Sequence, residues 1–496
     1  MASLLSFNFH VSNPKKIAII GAGWAGTASA LALHEQGHLV TVFDSSRLLG
    51  GRARGVSDPA FGMLDNGQHL LLGAYQETLK LIASLNPDTT EHQLLKRTPL
   101  YLMSASGNIH LKASRSLPAP LNTFLALLTA KGLCWADKFS MIRLMVKLNA
   151  SKPKLTTQVS QNKQDSERND PPQNLTVLLW LIQQKQSPHL IHKIWQPLCL
   201  AMLNTPVDTA CAQLFQNVLR DSLGSLMTGA TDMILPKTDL STLAPQRLVE
   251  LLDCRLGHTV RDIQCVNKGV EIDGEQFDRC VIATPPLNTL RLIKNCLKHT
   301  INYEKLENQL KQFTYAPITT CYLRLSQHFQ MPAPMLMLDE DPSKGHVGQW
   351  VFERQTQTES YQSTDLAVII SDSSAQLKNA EEWVHPLTNQ AHALATDDKS
   401  VAHTKHEVLA QALHQQISKQ LMQRPSYANR PLPYLLDFRV ITEKRATFVA
   451  KPGLERPTNE TGDARVMLAG DWTHTGYPSV IEGAVLSGLQ AAKGLI

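Results

Sequence analysis

The residues best suited to hold a charged ligand stand close to the start of the chain. Gly21-Ala22-Gly23-Trp24-Ala25-Gly26 is a G-x-G-x-x-G. Gly21 permits a tight strand-to-helix turn, Gly23 lets a pyrophosphate approach the backbone, and Gly26 lets the helix pack on the strand. The pyrophosphate would sit on the free N–H groups and positive dipole end of that helix. Asp44, eighteen residues after Gly26, is placed to accept hydrogen bonds from ribose hydroxyls. This chemistry needs elements to position it. Ile17-Ala18-Ile19-Ile20 is long enough for one buried strand and too short for a helix. Ala25, Ala28, Leu31 and Ala32 recur at helical spacing, Gly37 ends the helix, and Leu39 to Phe43 reads as a second strand ending at Asp44. A lone glycine pattern is a weak signal, but between two strands it predicts dinucleotide binding.

A second strand–turn–helix stands at the far end. Arg465-Val466-Met467-Leu468-Ala469-Gly470-Asp471 reads as a buried strand, and Ser479-Val480-Ile481-Glu482-Gly483-Ala484 starts a helix with small residues on one face. Composition sets the bounds. The chain has 496 residues and is 43% hydrophobic, enough for a large core in two intertwined domains. Its net charge of +5, without a lysine- or arginine-rich block, argues against nucleic acid and leaves room for a weak attraction to anionic membrane surfaces. The eight cysteines contain no C-x-x-C and no Cys/His ligand cluster, which fits a reducing cytosol and argues against structural zinc. The N-terminal MASLLSFNFHVSNP has neither a basic start nor a long apolar core and reads as a short extension. No run of eighteen apolar residues is present, so a soluble or peripheral protein is expected.

Between these ends, Tyr101 to Met103 and Ile109 to Leu111 read as a hairpin around Ser106-Gly107-Asn108. Leu-rich helices follow at 121–133 and 139–148, then a polar loop at 151–174, then helices opening at Leu175, Ile191 and Val207. A helix is expected at 246–252, and strands at 259–263, 269–272, 279–283, 315–325 and 366–370, with a polar loop at 384–406. So much aliphatic surface on helices outside the nucleotide fold is either ordinary core, a long apolar tunnel, or a monotopic membrane face.

The basic, glycine-paired stretch Arg47-Leu48-Leu49-Gly50-Gly51-Arg52-Ala53-Arg54, together with G-D…P-x-x-I-E-G-A at the C-terminus, resembles FAD-binding amine oxidases and carotenoid-type desaturases. Two middle stretches, LDNGQHLLLGAYQETL and IWQPLCLAMLNTPVDTA followed by FQNVLRDSL, resemble the squalene-associated FAD-dependent desaturase branch, whose members act as hydroxysqualene dehydroxylases. The resemblance implies an α/β fold: an FAD-binding Rossmann-like domain of amine-oxidase type (15–96, 230–300 and 441–496) with an intertwined α+β substrate domain (97–229 and 301–440). It implies FAD held by Gly21, Gly23, Trp24, Ala25, Gly26, Asp44, Ser45, Arg47, Gly51 and Arg52. The turn at Gly67, Gln68 and His69, the backbone at Val260, and Gly470, Asp471, Ser479, Val480 and Ile481 complete that set.

The implied reaction is reductive loss of the allylic hydroxyl of hydroxysqualene, a long-chain isoprenoid, to give squalene on a route to hopanoids. An isoprenoid desaturase or an amine oxidase on the same fold is the alternative. A proton donor is required, and His69 is the first candidate; its other reading is a hydrogen-bonded structural histidine. Asp221 is the second, with a helix-end ion pair as its other reading. No metal site is expected. With no second convincing G-x-G-x-x-G for a nicotinamide, the electron donor is expected to be separate. The expected location is the cytoplasm, peripheral to the inner face of the membrane.

Overall fold

The short aliphatic runs at both ends of the chain do form strands, and they meet in one sheet. A computed structural model describes residues 13–117, 120–150, 174–354, 363–374 and 398–496. In chain order, β1 (Lys16–Ile20), α1 (Trp24–Glu35), β2 (Leu39–Asp44) and α2 (Gln76–Leu85) come first. They are followed by α3 (Leu121–Thr129), α4 (Trp135–Ala150), α5 (Val177–Gln183), α6 (Gln196–Leu203) and α7 (Ala212–Asp221). Next are β3 (Asp253–Leu256), β4 (Arg279–Ile282), β5 (Tyr315–Leu325), β6 (Met335–Met337), β7 (Trp350–Arg354) and β8 (Asp365–Ser371). The chain closes with α8 (Asp398–Leu421), β9 (Leu435–Phe448), β10 (Val466–Leu468) and α9 (Ile481–Gly494).

The first sheet has the order β3-β2-β1-β4-β10, and every pair is parallel. After Lys16 and Arg279, strands β1, β4 and β10 are apolar and buried, as expected where helices cover a sheet; the edge strand β3 is Asp-Cys-Arg-Leu and only half-buried. Helices α1 and α9, from opposite ends of the chain, lie against each other. A side chain at Gly488 would collide with the carbonyl of Ala25, and Ser29 Oγ donates to Gly488 O at 2.8 Å. The small face read in the C-terminal helix is this contact. The second sheet is antiparallel, in the order β6-β7-β8-β5-β9. Helices α3 to α7 pack beside it around Trp195, Trp180 and Phe215, whose rings meet edge to face at 6.3 and 6.4 Å.

Three expectations need correction. Residues 259–262 form no strand; the Asp273 carboxylate takes the Arg261 and Asp262 N–H groups, at 3.0 and 2.9 Å, away from any ladder. The helix expected at 246–252 is a 3₁₀ segment, Pro245–Glu250, closed by i→i+3 bonds. From Asp398 onward the expected polar loop is helical: Leu409, Leu413, Ile417 and Leu421 recur every fourth residue and are buried. Cys265 and Cys296 are paired as a disulfide. The polar loop at 151–174 lies, except for Asn174, outside the described residues, as does 384–397.

Candidate functional site

A cavity of about 630 Å³ runs between the two sheets. One end of it is built on the turn between β1 and α1. Gly21, at φ +103°, donates its N–H to Phe43 O at 2.7 Å, which brings the turn beside the tip of β2. Asp44 ends that strand and accepts from the N–H groups of Ala22 and Ser46, both at 2.7 Å, so its carboxylate is fixed at the cavity wall. The first turn of α1 carries no acidic residue, leaving its N–H groups and dipole free to attract an anion. A side chain on Gly23 would extend toward Gly51, reaching its Cα at 3.9 Å. The glycines therefore keep open a groove between two backbones.

The two ends of the sequence meet in the ion pair of Arg52 with Asp471, and the Ser479 hydroxyl donates to the same carboxylate. Burial opposes the Arg52 charge, but the attraction and hydrogen bond of Asp471 outweigh it and raise the arginine pKa. Arg52 also donates to Ala446 O at 3.0 Å. Of the sequence-derived set, Gly21, Gly23, Trp24, Ala25, Asp44, Ser45, Gly51, Arg52, Gly67, Gln68, His69, Val260, Gly470, Asp471, Ser479, Val480 and Ile481 all line the cavity. Gly26 and Arg47 are not in its wall. Gly26 serves packing, since a side chain there would strike Gly21 O, and Arg47 is exposed. Val260 is buried, and its carbonyl accepts from Arg291 at 2.8 Å.

The other end of the cavity is apolar. Leu102, Leu198, Met202, Met335, Trp350 and Phe352 bring helices and the antiparallel sheet around it. His69 stands in this wall with its Nδ1 buried and without a hydrogen-bond partner. Desolvation pushes its pKa down to about 4, only partly offset by a hydrogen bond with the Gly67 backbone; the ring is a neutral imidazole above that pH. Asp221 lies outside the wall. Its carboxylate accepts from the Tyr477 hydroxyl at 2.7 Å and from Arg220 at 3.2 Å, so it is committed to holding α7 to the C-terminal loop.

Three features escaped the sequence reading. Glu443 on β9 lines the cavity and accepts from Asn66 Nδ2 at 3.3 Å; the run of charges around it hid the strand. Buried Arg456 donates to the carbonyls of Trp472, Tyr477, Asp471 and Thr473 and so shapes the loop that presents Asp471. Burial pushes its pKa down to about 10. Glu482 in the first turn of α9 accepts from the N–H groups of Glu77 and Thr78, at 3.1 and 2.9 Å, and caps α2. Its Gly-rich neighbourhood was legible; its capping partner across the fold was not.

A family profile described as flavin containing amine oxidoreductase matches residues 24–496. Hydroxysqualene dehydroxylase of Rhodopseudomonas palustris is 25% identical over 517 residues, covering 96% of this chain and 97% of that one. The 15-cis-phytoene desaturase of Capsicum annuum is 22% identical over 531 residues, covering 100% of this chain and 81% of that one. The solved structure of cyclohexylamine oxidase from Brevibacterium oxydans has a TM-score of 0.61 at 18% identity, over 97% of this chain and 99% of that chain. That last likeness is one of fold. The nucleotide end fits the FAD that the family implies: an acid-free helix terminus, a glycine groove, a cation at Arg52, and a buried Trp24 Nε1 left without a partner on the wall. Among the described residues no group of three or more His, Cys, Asp or Glu is placed to hold a metal.

Proposed function

Because the chain belongs to the flavin-containing amine oxidoreductase family and is an FAD-dependent oxidoreductase, we propose that it reduces hydroxysqualene to squalene with loss of the allylic hydroxyl. The observation that carries this reading is the cavity itself, whose nucleotide end opens directly into an apolar chamber suited to a long isoprenoid. Bound FAD, in its reduced form, supplies the hydride that the carbon receives. The chain supplies the rest. Leu102, Met335, Trp350 and Phe352 exclude water, which would otherwise capture a carbon losing its hydroxyl.

A proton must reach the departing oxygen. His69, neutral above about pH 4, is a poor source. The carboxyls in the wall are Asp44, Asp471 and Glu443. Asp44 is bonded to backbone N–H groups and Asp471 to Arg52. We take Glu443, in its protonated form, as the general acid; it accepts from Asn66 Nδ2 at 3.3 Å and from the Arg445 N–H at 3.2 Å, and His69 is a polar neighbour. A long isoprenoid partitions into membranes, and we propose that the work is done at the membrane surface on its cytoplasmic side.

The test is product analysis. Dithionite-reduced holoenzyme mixed with hydroxysqualene in detergent should release squalene, read by gas chromatography. Absence of squalene from FAD-loaded protein would overturn the reading. The second reading, oxidative isoprenoid desaturation, is favoured by the phytoene desaturase likeness and by the same apolar chamber. Oxidised enzyme turning phytoene into a desaturated product would select it.

A further inference from the structure

We propose that α3, α4, α5 and the loop at 223–227 form a face that docks on an anionic lipid bilayer and feeds the cavity from it. Helix α3 is apolar on both sides. Ala126 and Leu127 are buried, while Leu121, Leu125 and Leu128, at i, i+4 and i+7, are exposed, Leu121 to 56%. On α4, Trp135 and Phe139 are one turn apart, 62% and 61% exposed, with ring centroids 6.1 Å from each other. Leu179 and Ile182 on α5 and Leu226 in the loop add to the same exposed apolar set. A helix that is apolar all round is stable only where a second apolar medium covers it.

These surfaces are continuous. Pro120, Phe124, Met145, Leu223 and Gly224 line one small cleft joining α3, α4 and the loop. Arg143 donates to Gln184 O at 2.9 Å and ties α4 to the end of α5. Leu223 lines both this cleft and the main cavity. The exposed apolar face thus reaches the apolar chamber through a single residue.

The charges select the occupant. In segments 120–150, 174–193 and 222–229 the exposed bases are Lys131, Arg143, Lys147 and Lys185, and Asp137 is the one acid; Lys138 is buried on Leu128 O and Lys193 is paired with Asp339. Asp137 is buried and accepts from Ser187 Oγ at 2.6 Å. A second copy of this face would bring like charges together. An anionic bilayer instead receives apolar rings and leucines in its interface and positive side chains at its headgroups.

The test uses the full-length holoenzyme and sedimentation with vesicles of phosphatidylcholine mixed with phosphatidylglycerol, or of phosphatidylcholine alone. The protein should partition onto the mixed vesicles more strongly than onto the neutral ones. Trp135→Glu and Phe139→Glu should each lower partitioning about tenfold or more, with circular dichroism, flavin absorbance and turnover of detergent-solubilised substrate unchanged. Wild-type protein that ignores both vesicles, or folded variants that bind as well as wild type, would overturn the proposal. So would a dimer, seen by light scattering, that the same variants disperse. Vesicle binding is read without turnover, so this result stands apart from the dehydroxylase reading, which the inference uses only to give the face its purpose.

Discussion

The two ends of the cavity are held together in opposite ways. At the nucleotide end polar groups are locked: Asp44 by two N–H groups, and Arg52, Asp471 and Ser479 by one another. At the substrate end, His69 Nδ1 and Trp350 Nε1 are buried with no partner, and the rest of the wall is largely apolar. A pre-paired polar site recognises one ligand of fixed shape and charge, whereas an apolar chamber with few polar groups sets only where a reactive group can rest. On the proposed reading, cofactor choice resides in a few locked residues and substrate choice in the shape of a wall.

Breaking the substrate end at its carboxyl should have the largest effect. Glu443→Gln should lower the rate of the chemical step by about 10²–10⁴ with flavin absorbance unchanged, while His69→Gln should lower it far less. Equal losses in rapid-mixing measurements would remove the distinction drawn between them. Breaking the nucleotide end comes next. Arg52→Ala strands the Asp471 carboxylate, of which only 6% is exposed, and should weaken FAD binding by about a hundredfold, roughly 3 kcal/mol. Titration of apoprotein with FAD checks it.

Asp65, just before the turn that carries Asn66 and His69, sharpens the comparison through pH. Burial raises its pKa to about 7, against the Leu240 N–H that it accepts at 2.9 Å. A carboxyl with a raised native pKa costs stability as pH rises from its unfolded value near 4 toward 7, because the unfolded chain ionises first. Asp65→Asn should therefore stabilise the protein at pH 8 by on the order of 1–3 kcal/mol and do little at pH 4, as denaturant melts at the two pH values would show. Smallest is Asp221→Asn, which keeps a partner for Tyr477 and should cost about 1 kcal/mol of stability with the chemical step intact. A collapse of that step would return Asp221 to the site.

The nucleotide end was legible because its determinants are local. Gly21, Gly23, Gly26 and Asp44 belong to one strand–helix–strand unit, and Gly470 and Asp471 to another, so spacing alone was enough to group them, and all but Gly26 share one cavity wall. The pairing of Arg52 with Asp471 joins the two units across the whole chain, and no period in the sequence encodes it. The substrate end was legible only as apolar content, because its wall comes from helices and from β9. Asp437, Arg439, Glu443, Lys444 and Arg445 interrupt the alternation of β9, and that is why Glu443 stayed hidden. Residues 259–262 failed for the reverse reason: they look like a strand, but Asp273 takes the N–H groups of Arg261 and Asp262.

The most direct measurement joins the two ends of the cavity in one experiment. The holoenzyme is photoreduced without oxygen, mixed with hydroxysqualene, and followed by flavin absorbance with squalene quantified from the same samples. The account predicts reoxidation of the flavin with one squalene formed for each flavin. Flavin that stays reduced in intact protein supplied with soluble substrate would contradict it.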